Sequence, residues 1–155
     1  MTPSAPLMII GPVGSGKSTL LAALGLGPKE VKKTEALTYN QGLSIDTPGE
    51  MMALPRFYNA LILNSARVSL VLMLMDGQKP LWLPAKICFA FKTSVVGVVT
   101  KIDLAEQAMI RRAELSLRNA GVEDIFRLSN LTGAGLDELK SHLSRRLTLD
   151  FDSAN

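Results

Sequence analysis

The octapeptide Gly11-Pro-Val-Gly-Ser-Gly-Lys17-Ser18 decides the fold of this chain. It fits G-x-x-x-x-G-K-[ST] without a mismatch, and it stands between an apolar run, Leu7-Met-Ile-Ile10, and a stretch with helical periodicity. A phosphate-binding loop needs that context. Its glycines let the backbone curl so that successive N–H groups converge on phosphate oxygens, and the helix that follows adds the positive end of its dipole. Lys17 is the residue that reaches the β- and γ-phosphates, and the Ser18 hydroxyl is a ligand for Mg²⁺. The candidate nucleotide-binding set here is Gly11, Val13, Gly14, Ser15, Gly16, Lys17, Ser18 and Thr19.

Beyond this loop, short apolar runs alternate with helical patterns, which predicts βαβ units and a mostly parallel sheet. A helix is expected over 17–24, closed by Gly25 in a left-handed cap, with a loop over 25–34. Residues 34–39 and 43–46, separated by Asn40-Gln-Gly42, read as a small hairpin. Pro55 fits the first turn of a helix running to residue 66. Val68-Ser-Leu-Val-Leu-Met-Leu-Met75 is nearly continuous apolar, as a central strand covered on both faces should be. A short helix is expected over 84–91, then a buried strand over 95–99. Ile110, Ala113 and Leu117 share one helical face, Gly121 ends that helix, and 125–128 is the last strand. Leu136, Leu139, Leu143 and Leu147 mark a final amphipathic helix with His142 on its polar side. Asp137 and Glu138 in its first turn and Arg145 and Arg146 in its last complement the helix dipole.

The fold class is therefore α/β: a doubly wound, mostly parallel sheet with one antiparallel hairpin and helices on both faces. The 155 residues leave room for one domain, 1–155, with a core over about 7–147 and a loose tail over 148–155. Hydrophobic residues at 47% with charged ones at 20% exclude a disordered or collagen-like chain. The longest apolar stretches fall well short of the roughly 18 residues of a membrane span, so no membrane is expected. Met1-Thr-Pro-Ser-Ala-Pro6 has neither a positive start nor a long apolar core, which argues against a secretory signal. Cys88, the only cysteine, forbids an internal disulfide and suits a reducing cytoplasm; in its apolar run it reads as a core thiol. A net charge of +3 serves solubility, and aromatic residues at 5% offer few platforms for stacking bases. Both argue against nucleic acid as a partner.

A Mg²⁺ site needs a carboxylate on the adjoining strand, and Asp46-Thr-Pro-Gly49 follows an apolar residue, Ile45, one strand after the loop. Asp46 can hold a metal-bound water, and the Gly49 N–H can meet a γ-phosphate. Further on, Thr100-Lys101-Ile102-Asp103 follows the strand over 95–99 and has the [NT]-K-x-D form. The Asp103 carboxylate only accepts, so it can take both the N1–H and the N2–H₂ of guanine; adenine has no such donor pair. The Lys101 stem would pack along base and ribose. Ser129-Asn130-Leu131, followed by Thr132-Gly-Ala-Gly135-Leu136, resembles the fifth motif of such proteins, whose amides meet the guanine O6; Asn130 stands where alanine is usual.

With these motifs in order from residue 7 to 147, the chain resembles a small GTPase of the translation-factor-related P-loop class. Longer strings carry a closer resemblance. Lys33-Thr-Glu-Ala36, Asp46-Thr-Pro-Gly-Glu50 and Pro55-Arg-Phe-Tyr-Asn-Ala-Leu-Ile62 are similar to the K-T-x-A, D-T-P-G-E and P-R-[WF]-Y-x-A-L-I of the ethanolamine-utilisation EutP and propanediol-utilisation PduV family. That resemblance implies a Ras-like sheet and a cytoplasmic protein associated with bacterial microcompartments. By position it implies that Thr34 is the switch threonine reaching Mg²⁺ and the γ-phosphate, so the metal set becomes Ser18, Thr34 and Asp46. The segments around Thr34 and over 47–56 would be two mobile switches, through which a shell or enzyme partner would be bound.

The implied ligands are GTP or GDP with Mg²⁺, with ATP the weaker fit because of Asp103. Thr34, Gly49 and Glu50 are the candidate catalytic residues. Two departures bear on turnover. Val13 stands where Ras-like proteins carry glycine, and its branched side chain would obstruct an arginine finger. Glu50 stands where they carry the glutamine that orients water. Both imply slow unassisted hydrolysis. Family members are also described as ATP-binding with a phosphotransferase role, so three uses stay open: a nucleotide switch or slow GTPase, a phosphotransferase acting on a small carboxylate, and a nucleotide-stabilised scaffold.

Overall fold

Every residue of Val68–Asp76 except Ser69 is buried, which makes this strand the centre of the sheet. The structure, a computed structural model, describes residues 5–26, 38–40, 44–49 and 54–147. Among them the strands are β1 (Ala5–Ile10), β2 (Thr38–Asn40), β3 (Ser44–Asp46), β4 (Val68–Asp76), β5 (Ser94–Thr100) and β6 (Asp124–Arg127). They pair in the order β2-β3-β1-β4-β5-β6, all parallel except β2 with β3. The helices are α1 (Lys17–Ala23), α2 (Tyr58–Ser65), α3 (Gln107–Asn119) and α4 (Leu136–Leu147). The expected hairpin exists as β2 and β3, while its Gln-Gly turn lies outside the described residues. No helix among the described residues is long and apolar enough to cross a membrane.

Successive side chains of a strand point to opposite faces, and β4 shows how two cores follow. Val71, Met73 and Met75 pack with Leu61 of α2 and with Ile110, Ala113 and Leu117 of α3. Leu70, Leu72 and Leu74 pack on the other side with Leu20 and Leu21 of α1 and with Leu139 and Leu143 of α4. The helices therefore cover both faces, as the alternating pattern requires. Gly25 and Gly121 close α1 and α3 with φ of 73° and 105°. That turn lets Leu26 N–H reach Leu21 O at 2.9 Å and Val122 N–H reach Leu117 O at 3.0 Å.

The crossover from β4 to β5 departs from expectation. Instead of a helix over 84–91 there is one 3-10 turn, Ile87–Ala90, preceded by Lys86 at φ 60°. The reason is where its backbone bonds go: Lys86 and Cys88 N–H donate to Asn119 O and Ala120 O, at the end of α3. Upstream, Ser116 Oγ donates to Leu81 O at 2.6 Å and accepts from Leu83 N–H at 2.9 Å, strapping the extended segment to α3. A segment bonded to its neighbour has no donors left for its own helix. The helix expected from Pro55 likewise begins as a 3-10 turn, Pro55–Phe57, and becomes α2 at Tyr58. Cys88 is a core thiol as expected; burial pushes its pKa up to about 12, so it stays protonated.

His142 is a second correction. It is not solvated: its side chain is 16% exposed and its ring lies 4.9 Å from that of Phe126. Residue 142 flanks the buried Leu139 and Leu143, so the stripe that faces the sheet carries it inward. Burial lowers its pKa below the ordinary 6.5, opposed by the Asp124 carboxylate and reinforced by Arg146 and Arg145. The folded state therefore favours neutral His142. This contribution to stability is complete above about pH 6.5 and is lost as pH falls through the lower folded value. Thermal unfolding between pH 7.5 and 5 should show the melting temperature of the wild type falling more steeply than that of His142→Gln. Parallel slopes would refute the coupling.

Candidate functional site

Parallel strands running side by side deliver their carboxyl ends to one edge, and the motif residues all lie there. β1 ends in the glycine loop, β3 ends at Asp46, β4 at Asp76, β5 at Thr100, and the turn after β6 carries Ser129 and Asn130. The loop sits between the neighbours of β1, with Ile9 in register with Asp46 on one side and Leu72 on the other. Such a crevice, where strand order diverges, is where open α/β sheets bind ligands.

The loop is held by its own bonds. Ser15 Oγ donates to Pro12 O at 2.7 Å, and Ser15 N–H donates to the same oxygen at 3.1 Å. Gly14 and Gly16 have φ of 78° and 92°, which curls the chain before α1. Lys17 is buried, at 7% exposure, with Nζ donating to Gly11 O at 2.9 Å and Pro12 O at 3.1 Å. An exposed lysine was the expectation at this position. The loop instead folds around the ammonium because its carbonyls satisfy it. Ser18 is half-buried, Thr19 and Gly14 are exposed, and Val13 is 54% exposed.

The second segment closes against the first. Thr47 Oγ1 donates to Ile9 O at 2.9 Å, fixing the turn after β3 to β1. A Cβ on Gly49 would stand 2.6 Å from Val13 Cα and 2.7 Å from its Cγ2, so only glycine lets this turn touch the loop. Thr34 and Glu50 lie outside the described residues, as do the remainder of both switch segments and the side chain of Asp46. The donors expected for Mg²⁺ are oxygens throughout, which suits that hard cation. Among the described residues no group of three or more His, Cys, Asp or Glu side chains forms a cage. Mg²⁺ does not need one, since it keeps waters and takes substrate phosphates.

The base-side segments are anchored differently from the expectation. Thr100 Oγ1 is buried and donates to Ser15 O at 2.7 Å, tying β5 to the phosphate loop. Lys101 has φ 59°, and its Nζ pairs with Asp76 Oδ2 at 3.0 Å. Its ammonium therefore has a protein partner that the motif did not reveal. Asp76 is itself held by Gln78 N–H, which donates to Oδ1 at 2.8 Å. A carboxylate closing a buried apolar run, at a strand end beside the motif lysine, was the signal available in the sequence. Asp103 is exposed and so open to a ligand. Ser129 is buried, Leu131 is 82% exposed, and Asn130 lies against Gly16, where an added Cβ would meet its Nδ2 at 3.0 Å. The turn is closed by Ser129 N–H to Ala134 O and Thr132 N–H to Ser129 Oγ.

Asp76→Asn keeps an acceptor for Gln78 and removes the charge facing Lys101. Nucleotide affinity, measured by displacement of a fluorescent analogue, should fall roughly threefold to tenfold while the protein stays folded. Unchanged affinity would show that Lys101 needs no anchor.

Known proteins resemble this chain at two levels. The model of the family described as ethanolamine utilisation – propanediol utilisation (PduV-EutP) matches residues 4–145. Propanediol utilization protein PduV of Citrobacter freundii is 31% identical over 135 residues, covering 86% of this chain and 89% of that protein. Probable acetate kinase EutP of Escherichia coli K12 is 29% identical over 140 residues, covering 89% and 88%. Among solved structures, translation elongation factor SelB of Methanococcus maripaludis with the GTP analogue GppNHp superposes with a TM-score of 0.68 at 22% identity. That match covers 95% of this chain and 34% of SelB, and it establishes a shared fold.

Proposed function

The chain belongs to the PduV-EutP family, and from that membership and the geometry above we propose a Mg²⁺-dependent nucleotide-binding switch or slow GTPase of ethanolamine or propanediol utilisation. The observation that carries this reading is the convergence of the Lys17 loop, the Asp46 strand end, the Asp103 carboxylate and the Ser129–Leu131 turn on one sheet edge. In this reading the amides over 13–19 hold the phosphates, and Lys17 exchanges its loop carbonyls for phosphate oxygens. Ser18, Thr34 and Asp46 hold Mg²⁺, directly or through water; when bound, the ion offsets charge on the phosphates. Thr100 and Lys101 brace the base side, and Asp103 accepts from guanine.

Glu50 sits beside the γ-phosphate by its distance along the chain from Gly49. Two like charges about 5 Å apart at an effective dielectric near 20 repel by roughly 3 kcal/mol before Mg²⁺ and Lys17 offset part of it. The GDP state escapes that repulsion, so the protein rests with GDP bound and hydrolyses GTP slowly. The protein works in the cytoplasm beside a bacterial microcompartment, where its two switch segments bind a shell or enzyme partner in one nucleotide state. The name of the EutP relative supports a second reading, phosphoryl transfer to a small carboxylate.

Thermal-shift titration with GTP, GDP, ATP and ADP in Mg²⁺ tests the first claim. A ligand at a hundred times its dissociation constant adds about 2.7 kcal/mol of stability. Lys17→Ala should abolish the shift given by triphosphates. Because Lys17 is buried and bonded, the substitution also lowers the starting melting temperature, so the ligand-induced difference is the quantity to compare. A shift that survives Lys17→Ala would remove the loop from the reading.

Glu50→Gln then separates the two uses. Tighter GTP binding relative to GDP, with turnover retained, supports the switch. An unchanged affinity ratio with lost turnover supports Glu50 as a base for phosphoryl transfer.

A further inference from the structure

Asn130 carries an unusual feature for a residue beside a ligand cleft. Its side-chain oxygen Oδ1 is enclosed and has no hydrogen-bond partner among the described residues. Buried amide oxygens are almost always paired, and one left without a donor is costly enough to need a reason. The amide lies against Gly16 of the phosphate loop, whose own backbone, at φ 92°, leaves no room for a side chain that could pair with it. Nearby donors are committed. The Thr100 hydroxyl is spent on Ser15 O, and the amides of Ser129, Thr132 and Gly133 close their own turn. The missing donor is therefore one that a ligand brings.

Purines differ at position 6 in the required sense: adenine presents an amino group that donates, guanine an oxygen that only accepts. We infer that Asn130 reads position 6 of a purine nucleotide, its amide oxygen accepting from a 6-amino group, so that the cleft admits adenine beside guanine. This rests on the nucleotide-binding reading above and adds a residue that sets base preference. An asparagine amide meets the N6 and N7 edge of adenine with two hydrogen bonds, the pairing it makes with adenine in duplex DNA. Turned over, the same amide donates to the 6-oxygen of guanine. Asp103 recognises the opposite edge of the base and favours guanine. Asn130 therefore relaxes the discrimination that Asp103 imposes, since specificity is the difference between two affinities.

Four triphosphates separate position 6 from position 2. GTP and inosine triphosphate carry a 6-oxygen; ATP and 2,6-diaminopurine riboside triphosphate carry a 6-amino group. Each is titrated calorimetrically into the full chain with Mg²⁺, for the wild type, Asn130→Ala and the near-isosteric Asn130→Asp. The wild type should bind nucleotides of both classes. Asn130→Ala should weaken the two 6-amino nucleotides by about tenfold relative to the two 6-oxo nucleotides. Asn130→Asp, which keeps acceptors and loses the donor, should move the ratio the other way. Equal losses for all four nucleotides would mean that Asn130 merely supports the loop and would overturn the inference. A wild type that binds GTP and inosine triphosphate alone would overturn it too, with nucleotide binding intact. A wild type that binds none of the four would refute the nucleotide reading, and the inference with it.

Discussion

Strand β4 is hydrogen-bonded along both edges and covered on both faces, and the positions of the loops at its end follow from that confinement. Its register with β1 runs from Ala5–Val68 to Ile10–Met73, and with β5 from Leu70–Ser94 to Asp76–Thr100. A one-residue slip would turn Leu70, Leu72 and Leu74 toward α2 and α3, exchanging the two cores. With register locked, Asp76 ends opposite Thr100, one residue before Lys101, and the 3.0 Å ion pair forms without any further device. The site inherits its precision from the packing beneath it.

The elements read correctly from sequence are those whose partner is local or periodic. β4 is legible as an uninterrupted apolar run, α3 from Ile110, Ala113 and Leu117, and both helix ends from Gly25 and Gly121. What escaped reading depends on contacts between distant segments. The 84–91 segment has enough apolar residues for a helix, but its N–H groups find Asn119 and Ala120 of another element. His142 looks polar on a helical wheel and is carried inward by its neighbours and by Phe126. The glycine loop, Thr100 and Asp103 were legible as chemistry because motifs encode them. Asp76, and the closeness of Asn130 to Gly16, were not, because each depends on two loops meeting in space.

That short crossover has a consequence at the surface. With a single 3-10 turn between β4 and β5 in place of a full helix, one face of the sheet is covered by α2, α3 and an extended strap. Trp82 and Phe89 remain 57% and 70% exposed on that strap, with Leu63 and Leu115 exposed on α2 and α3. The cleft lined by Tyr58, Leu61, Ile62, Met73, Leu83 and Phe91 is apolar and has no group suited to phosphate. Binding chemistry is therefore concentrated at the strand ends, where main-chain amides, one buried ammonium and two carboxylates converge.

The loop does not wait with its polar groups idle. Lys17 already spans Gly11 O and Pro12 O, Ser15 already bonds Pro12 O, and the Gly49 turn already rests on Val13. Binding of a phosphate ligand is then an exchange, in which internal bonds of the loop are traded for bonds to phosphate oxygens. Only the difference contributes to affinity. Charge decides that exchange: an ammonium gains more from an ionised phosphate than from two neutral carbonyls. The groups on the base side face no such trade. Asp103 is exposed, and the Asn130 oxygen lacks a partner that it would have to give up. Phosphate contacts therefore set how tightly a nucleotide is held, while the two base-side groups, one charged and one neutral, set which purine it carries.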